Sequence, residues 1–143
     1  MNVEAILRDK GRNVTTIAPD ASIGEAAALL RRLGIGALVV SRDNVGVDGI
    51  LSERDIVHGL ADRGAALLDV KVEQLMTRRV STCTPRESIG DLMSMMTERR
   101  IRHIPVLRDG ALVGIVSIGD VVKHRLDEME YETSSLRSFI AGA

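Results

Sequence analysis

One phrase occurs twice in this chain and limits the folds open to it. Gly49-Ile50-Leu51-Ser52-Glu53-Arg54-Asp55 returns as Gly114-Ile115-Val116-Ser117-Ile118-Gly119-Asp120, each copy followed by two more apolar residues. Glycine and an apolar pair read as the end of a strand, and Ser-x-x-Asp reads as the start of a helix. The agreement extends upstream. Thr16-Ile17-Ala18-Pro19 matches Thr82-Cys83-Thr84-Pro85, and Ser22-Ile23-Gly24-Glu25 matches Ser88-Ile89-Gly90-Asp91. Those matches keep a shift of 66 positions, which falls to 65 at the corner because the loop at 44–48 is one residue longer. Self-similarity over nearly a whole chain means two copies of one supersecondary unit.

At 143 residues the chain can bury a real core, but half of it would be marginal alone, so the halves are expected to share one core. With one Tyr, one Phe and no Trp, that core must be aliphatic. The scarcity of aromatics also removes the stacking platform of single-strand binders, and a net charge of -1 gives no pull toward nucleic acid or acidic membranes. A lone Cys83 suits a reducing compartment. No apolar run reaches membrane length, and the first residues do not read as a signal peptide. A soluble cytoplasmic protein is expected.

The unit reads strand, helix, strand, strand, helix. A turn or two of helix over 3–8 leads in, and Val14–Ile17 is a short strand stopped by Pro19. Ser22 and Glu25 form a capping box. They open a helix with Ala26, Leu29, Leu30 and Leu33 on its apolar face, and Gly34 closes it. Ala37–Val40 is a strand buried on both faces, followed by a strand over Val47–Leu51. Ser52 starts a helix whose Ile56, Val57, Leu60 and Ala61 are expected to face inward. The second copy repeats this with a strand at Val80–Cys83, a helix from Ser88 to about Glu98, and a hairpin of His103–Leu107 with Leu112–Val116. Its last helix runs from Ile118 toward Met129, and a short helix is expected over Ser134–Ile140.

A tandem β-α-β-β-α repeat with this corner resembles the CBS domain pair, or Bateman module, over roughly residues 1–127. The phrases from Ser52 and from Met96 (Met-x-x-x-Arg-Ile-Arg-His-Ile-Pro-Val) are similar to those of small stand-alone bacterial CBS-pair proteins. The resemblance implies an α/β module with pseudo-two-fold symmetry: repeat 1 over 1–67 with its helical lead-in, repeat 2 over 68–130, and a tail over 131–143. It also implies regulatory binding of AMP, ADP, ATP or NAD(H), without a metal, in a protein that pairs into a homodimer and signals through an effector protein. A purely structural dimerisation module, with pockets empty or holding S-adenosylmethionine, is the alternative.

The resemblance further implies pockets that are partly crossed between repeats. One pocket is thereby expected to combine Ser117 and Asp120 with Thr16, Ile17, Gly36, Ala37 and Leu38. The other combines Ser52, Arg54 and Asp55 with Thr82, Cys83, Arg102, His103, Ile104 and Pro105. Because Gly36-Ala37-Leu38-Val39 stands opposite Arg102-His103-Ile104-Pro105, the pockets should not be equivalent.

Chemically, a carboxylate at Asp55 or Asp120 can accept both hydroxyls of a ribose, and a serine at a helix start sits where free amides favour phosphate. The same Ser-x-x-Asp spacing serves equally as a helix cap, and the two roles are compatible. Arg54, Arg78, Arg79, Arg99, Arg100 and Arg102 can neutralise phosphates or form a solvated charged face. His103 can meet a phosphate or simply pack, and Cys83 is given no redox role. Met93, Met95 and Met96 read as core and partner surface. There is no dinucleotide-binding glycine motif, P-loop, nucleophile elbow or metal-ligand spacing among His58, His103 and His124, so no enzyme is expected. Leu29, Leu30, Met95 and Met96 exceed what one sheet needs and point to the homodimer contact, to which Leu136, Phe139 and Ile140 are expected to add.

Overall fold

The structure, a computed structural model, describes residues 1–11 and 13–142. Its helices are α1 (Val3–Lys10), α2 (Ile23–Leu33), α3 (Glu53–Arg63), α4 (Val72–Leu75), α5 (Ile89–Arg99) and α6 (Ile118–Gly142). Its strands are β1 (Thr16–Ile17), β2 (Ala37–Val40), β3 (Gly49–Ser52), β4 (His103–Arg108) and β5 (Ala111–Ser117). In repeat 1, β1 runs parallel to β2 and β2 antiparallel to β3. In repeat 2, β4 and β5 form a hairpin closed by Asp109 and Gly110, both at positive φ as a tight two-residue turn requires.

The strand expected at Val80–Cys83 is reduced to one parallel bridge, in which Cys83 donates to the Pro105 carbonyl and accepts from Leu107. Pro85 has no N–H to extend that ladder downstream. Upstream, the backbone leaves the sheet and walls a cavity through Val80 and Ser81.

Instead of one shared core there are two, and each borrows from the opposite repeat. Ile17, Ile23, Leu30, Leu38, Val40, Leu51 and Leu67 of repeat 1 pack with Val72 and Met76 of the repeat-2 lead-in. Ile89, Leu92, Met96, Ile104, Val106 and Val116 of repeat 2 pack with Val3, Ile6 and Leu7 of α1. Polar contacts fix α1 there as well: Glu4 pairs with Arg108 at 2.8 Å and Lys10 with Asp120 at 2.6 Å, and Asp9 Oδ2 lies 3.3 Å from Nε2 of the buried His124. The lead-in of repeat 1 is therefore a structural part of repeat 2.

This swap explains the glycine of the repeated phrase. A Cβ on Gly49 would lie 2.5 Å from Met76 Sδ and 2.9 Å from the Thr77 carbonyl, and one on Gly114 would lie 2.5 Å from Leu7 Cδ2. Each glycine is where a borrowed segment touches a strand.

Helix α3 buries only part of the face expected of it, Ile56 packing half-buried against the repeat-1 core. Val57 is 62% exposed and Leu60 and Ala61 are exposed too, while Gly59 is the position that reaches Leu67 and Leu75. Leu33 is likewise exposed on α2, whereas Leu30 and Met96 sit in the cores. A 3.6-residue period identifies an apolar stripe without saying whether the chain itself covers it. The last helix is continuous from Ile118 to Gly142, with no break near Met129 and no separate short helix in the tail; Ala143 lies outside the described residues.

Candidate functional site

Both repeated corners fold alike. Asp55 Oδ2 accepts from the Ser52 backbone N–H (2.9 Å) and hydroxyl (3.1 Å), and the Asp55 N–H donates back to Ser52 Oγ (3.3 Å). At the second corner the same bonds join Asp120 and Ser117 at 2.9, 2.9 and 3.2 Å. The aspartates therefore do cap their helices, and they do so with one carboxylate oxygen. Among the described residues, Oδ1 of each is left for another donor.

A cavity of about 530 Å³ opens against the first corner, a volume suited to a small organic ligand. Ser52, Arg54 and Asp55 stand on one side, and Arg102 and His103, at the entry to β4, on the other. The fold thus brings these five residues, expected together from opposite repeats, to one cavity. Backbone hydrogen bonds of 3.0 and 2.9 Å between Ile50 and Thr77 bring the 77–81 segment over the cavity. Thr77, Arg79, Val80 and Ser81 thus join its wall, with Arg100 and Ile101 from the end of α5.

Other expected members stand elsewhere. Cys83, Ile104 and Pro105 are buried, Cys83 and Ile104 within the repeat-2 core, and Thr82 is half-buried beside them, outside the cavity wall. Burial, with Glu87 nearby, pushes the Cys83 thiol up to about 12, so it is an inert core group. Cys83 makes only an isolated bridge to Val106 and turns its side chain into the core, so Val80 and Ser81, not the Thr82-Cys83 pair that matches Thr16-Ile17, meet the cavity.

The second corner is arranged differently. Lys10 Nζ donates to Asp120 Oδ2 at 2.6 Å and to the Ile115 carbonyl at 2.9 Å. Oδ2 of Asp120 thus receives Lys10 in addition to both Ser117 donors. Burial pushes the Asp120 carboxyl up, but hydrogen bonds from Lys10 and Ser117 and the Lys10 charge hold it below its ordinary value. Of the residues expected to complete this pocket, Ile17, Ala37 and Leu38 are buried in repeat 1, and Thr16 donates to Asn44 Oδ1. Gly36 lines the Asp55 cavity instead, where a Cβ would come 3.2 Å from the His103 ring and 3.4 Å from Glu53 Oε1.

His103 lies between the two corners. Burial lowers its pKa, against the pull of Glu53 and Asp120, with Lys10 and Arg102 acting in the same direction as burial. The ring is neutral near pH 7.

Arg100 reaches the cavity from a left-handed backbone conformation, φ 54, at the C-cap of α5. The matching cap of α2 is Gly34, φ 63. A side chain at such a position costs about 1–2 kcal/mol relative to an unstrained conformation. Repeat 2 carries that strain where a cation faces the cavity.

The fold and sequence have clear relatives. A 47% identical structure, the CBS-domain containing protein ATU1752 from Agrobacterium tumefaciens, superposes with a TM-score of 0.85 over 87% of this chain and 99% of that one. The mitochondrial CBS domain-containing protein CBSX3 of Arabidopsis thaliana is 31% identical over 98% of this chain and 72% of its own. The CBS domain pair of MJ0100, solved in complex with 5'-methylthioadenosine and S-adenosyl-L-methionine, is 28% identical with a TM-score of 0.77, covering 86% of this chain and 98% of that one. The family profile described as CBS domain matches residues 3–62 and again 72–127. The chain belongs to the CBS domain family and is a tandem pair of its repeats.

Proposed function

We propose that this protein is a regulatory sensor that binds an adenosine-containing ligand (AMP, ADP, ATP or NAD(H), with an S-adenosyl compound as a further candidate) in the Asp55 cavity. One observation carries the reading. The cavity joins the remaining carboxylate oxygen of Asp55 to apolar walls at Val57, Val80 and Ile101 and to Arg54, Arg79, Arg100 and Arg102. Those parts match a ribose hydroxyl, a base and phosphates. The adenosyl ligands of the related MJ0100 pair support the same ligand class.

Calorimetry tests it. Asp55→Ala should lose about 1.5–3 kcal/mol of binding, or roughly one to two decades in affinity, while a thermal melt shows the fold retained. Unchanged affinity for every adenosyl ligand tried would reduce Asp55 to a helix cap. Arg54→Ala with Arg102→Ala should weaken ATP and NAD(H) more than AMP, because the lost cations face the additional phosphates.

The sensor works as a homodimer in this reading, and ligand acts by favouring one dimer geometry over another. The exposed Val57 and Leu60 of α3 and Val122 and Leu126 of α6 supply the contact, Val57 and Val122 being equivalent across the repeat. An effector protein receives the signal. The Lys10 contact favours a second reading for the Asp120 corner alone: a structural element without ligand in this conformation.

A further inference from the structure

Helix α6 continues past the last residue matched by the family profile, 127, to Gly142, and every residue from Met129 to that end is exposed. A solvated stretch of that length is marginal as a lone helix in water. Its side chains nevertheless follow a rule. Val122, Leu126, Met129, Thr133, Leu136 and Ile140 recur at alternating steps of three and four, the spacing of a coiled-coil seam. The seam starts on the body of the protein, turned away from the buried Val121 and His124, and runs to the helix end. Thr133, its one polar member, has its hydroxyl satisfied by the Met129 carbonyl at 2.9 Å.

Flanking charges select the partner and its direction. In heptad terms Leu126, Thr133 and Ile140 are a positions and Met129 and Leu136 are d positions. The g and e positions then hold Glu132 and Arg137, with Arg125 and Glu130 one heptad earlier. In a parallel homodimer each g residue faces the e residue five places on in the second copy, so Glu132 meets Arg137 and Arg125 meets Glu130. Arg125 already has Glu128 at 3.1 Å within its own helix, which leaves Glu132 with Arg137 as the decisive pair. An antiparallel pairing of the full seam would instead set Lys123 against Arg137 and Glu130 against itself. In the last heptads, β-branched Thr133 and Ile140 at a with Leu136 at d also suit two parallel strands.

We infer that the exposed half of α6 forms a parallel two-stranded coiled coil with a second copy of this chain, aligning the two CBS pairs with repeat 2 beside repeat 2. This rests on the homodimer of the proposed function and adds its orientation.

The test uses the full chain. Leu136→Cys should form a disulfide dimer under mild oxidation, since a d position faces its own copy; the buried Cys83 does not compete. Antiparallel seams would hold the two substituted positions about 15 Å apart, beyond disulfide reach. Ser138→Cys, on the outer face, should remain uncrosslinked. Glu132→Arg and Arg137→Glu should each raise the dimer dissociation constant about tenfold in sedimentation, and the double exchange should restore it. A protein that is monomeric at micromolar concentration overturns both the dimer and this inference. A dimer in which Leu136→Cys does not crosslink, Ser138→Cys crosslinks equally, or the double exchange fails to rescue overturns the inference alone.

Discussion

Lys10, at the end of the first helix, places its ammonium 2.6 Å from Oδ2 of Asp120, 110 residues later in the chain. Asp120 is the second copy of the aspartate that faces the cavity at Asp55. The exchange of lead-in helices between repeats is what brings a cation to one copy and leaves the other open. The two corners of a nearly symmetric module thus begin in different chemical states.

The first prediction follows from that contact. A ribose that grips Asp120 with both hydroxyls must share or displace Lys10. Lys10→Ala should therefore add a second adenosine-ligand site, raising the calorimetric stoichiometry from one to two per chain. The exposed ion pair is worth at most about 1 kcal/mol, so the fold should survive. If Lys10 instead swings onto a phosphate, the substitution weakens binding, and a stoichiometry below wild type would show it.

His103 sets a pH dependence. Its pKa is lowered mainly by burial, so the folded protein holds it neutral while the unfolded chain titrates near its ordinary 6.5. The unfolded state then binds more protons, and stability falls as pH drops from about 6.5 toward the folded value. A phosphate arriving between His103 and Arg102 acts in the other direction, since an anion favours the charged ring. Binding near pH 6 should take up a proton, visible as a dependence of the calorimetric heat on buffer ionisation enthalpy. His103→Asn should abolish that dependence; its persistence would place the proton elsewhere.

The two glycines of the repeated phrase should differ on substitution. At Gly49 an added methyl meets the Thr77 backbone carbonyl as well as Met76, and a backbone cannot step aside. Gly49→Ala should cost about 1–3 kcal/mol, as overpacking in a core does. At Gly114 the obstacle is the end of the flexible Leu7 side chain, so Gly114→Ala should cost less. Denaturant melts of the two variants compare them directly; equal costs would mean α1 is as unyielding as the 76–77 segment.

How far the sequence spoke for itself can be judged at particular residues. The capping box of Ser22 and Glu25, the Asp109-Gly110 turn and the buried run Ala37–Val40 are local signals, and each formed as its neighbours dictate. The pairing of Asp55 with Arg102 and His103 in one cavity came from the family likeness, which encodes a tertiary relation no local pattern carries. Three features stayed out of reach. The docking of α1 on repeat 2 depends on long-range packing, because Val3, Ile6 and Leu7 fit either core in composition. The exposure of Val57 depends on Gly59 taking the inward position, which an apolar count passes over. Cys83 and Ile104 are expected among the ligand contacts from the family likeness, and that their side chains sit in the repeat-2 core is set by long-range packing.

The last prediction concerns Arg100, whose φ of 54 is the conformation its counterpart Gly34 adopts without strain. Side chains at such positions destabilise a fold, and glycine relieves the clash while adding unfolded-chain entropy, so Arg100→Gly should stabilise the protein by a net of about 0.5–1 kcal/mol. Arg100 also lines the Asp55 cavity, and strain that persists where a cation faces a pocket suggests the cation is used there. The same substitution should therefore weaken binding of phosphate-rich ligands by several-fold while the melting temperature rises. Arg100→Lys separates the two effects, keeping both strain and charge and retaining most of the affinity. A variant Arg100→Gly that gains stability with unchanged ATP and NAD(H) affinity would show that Arg100 faces the cavity without serving it.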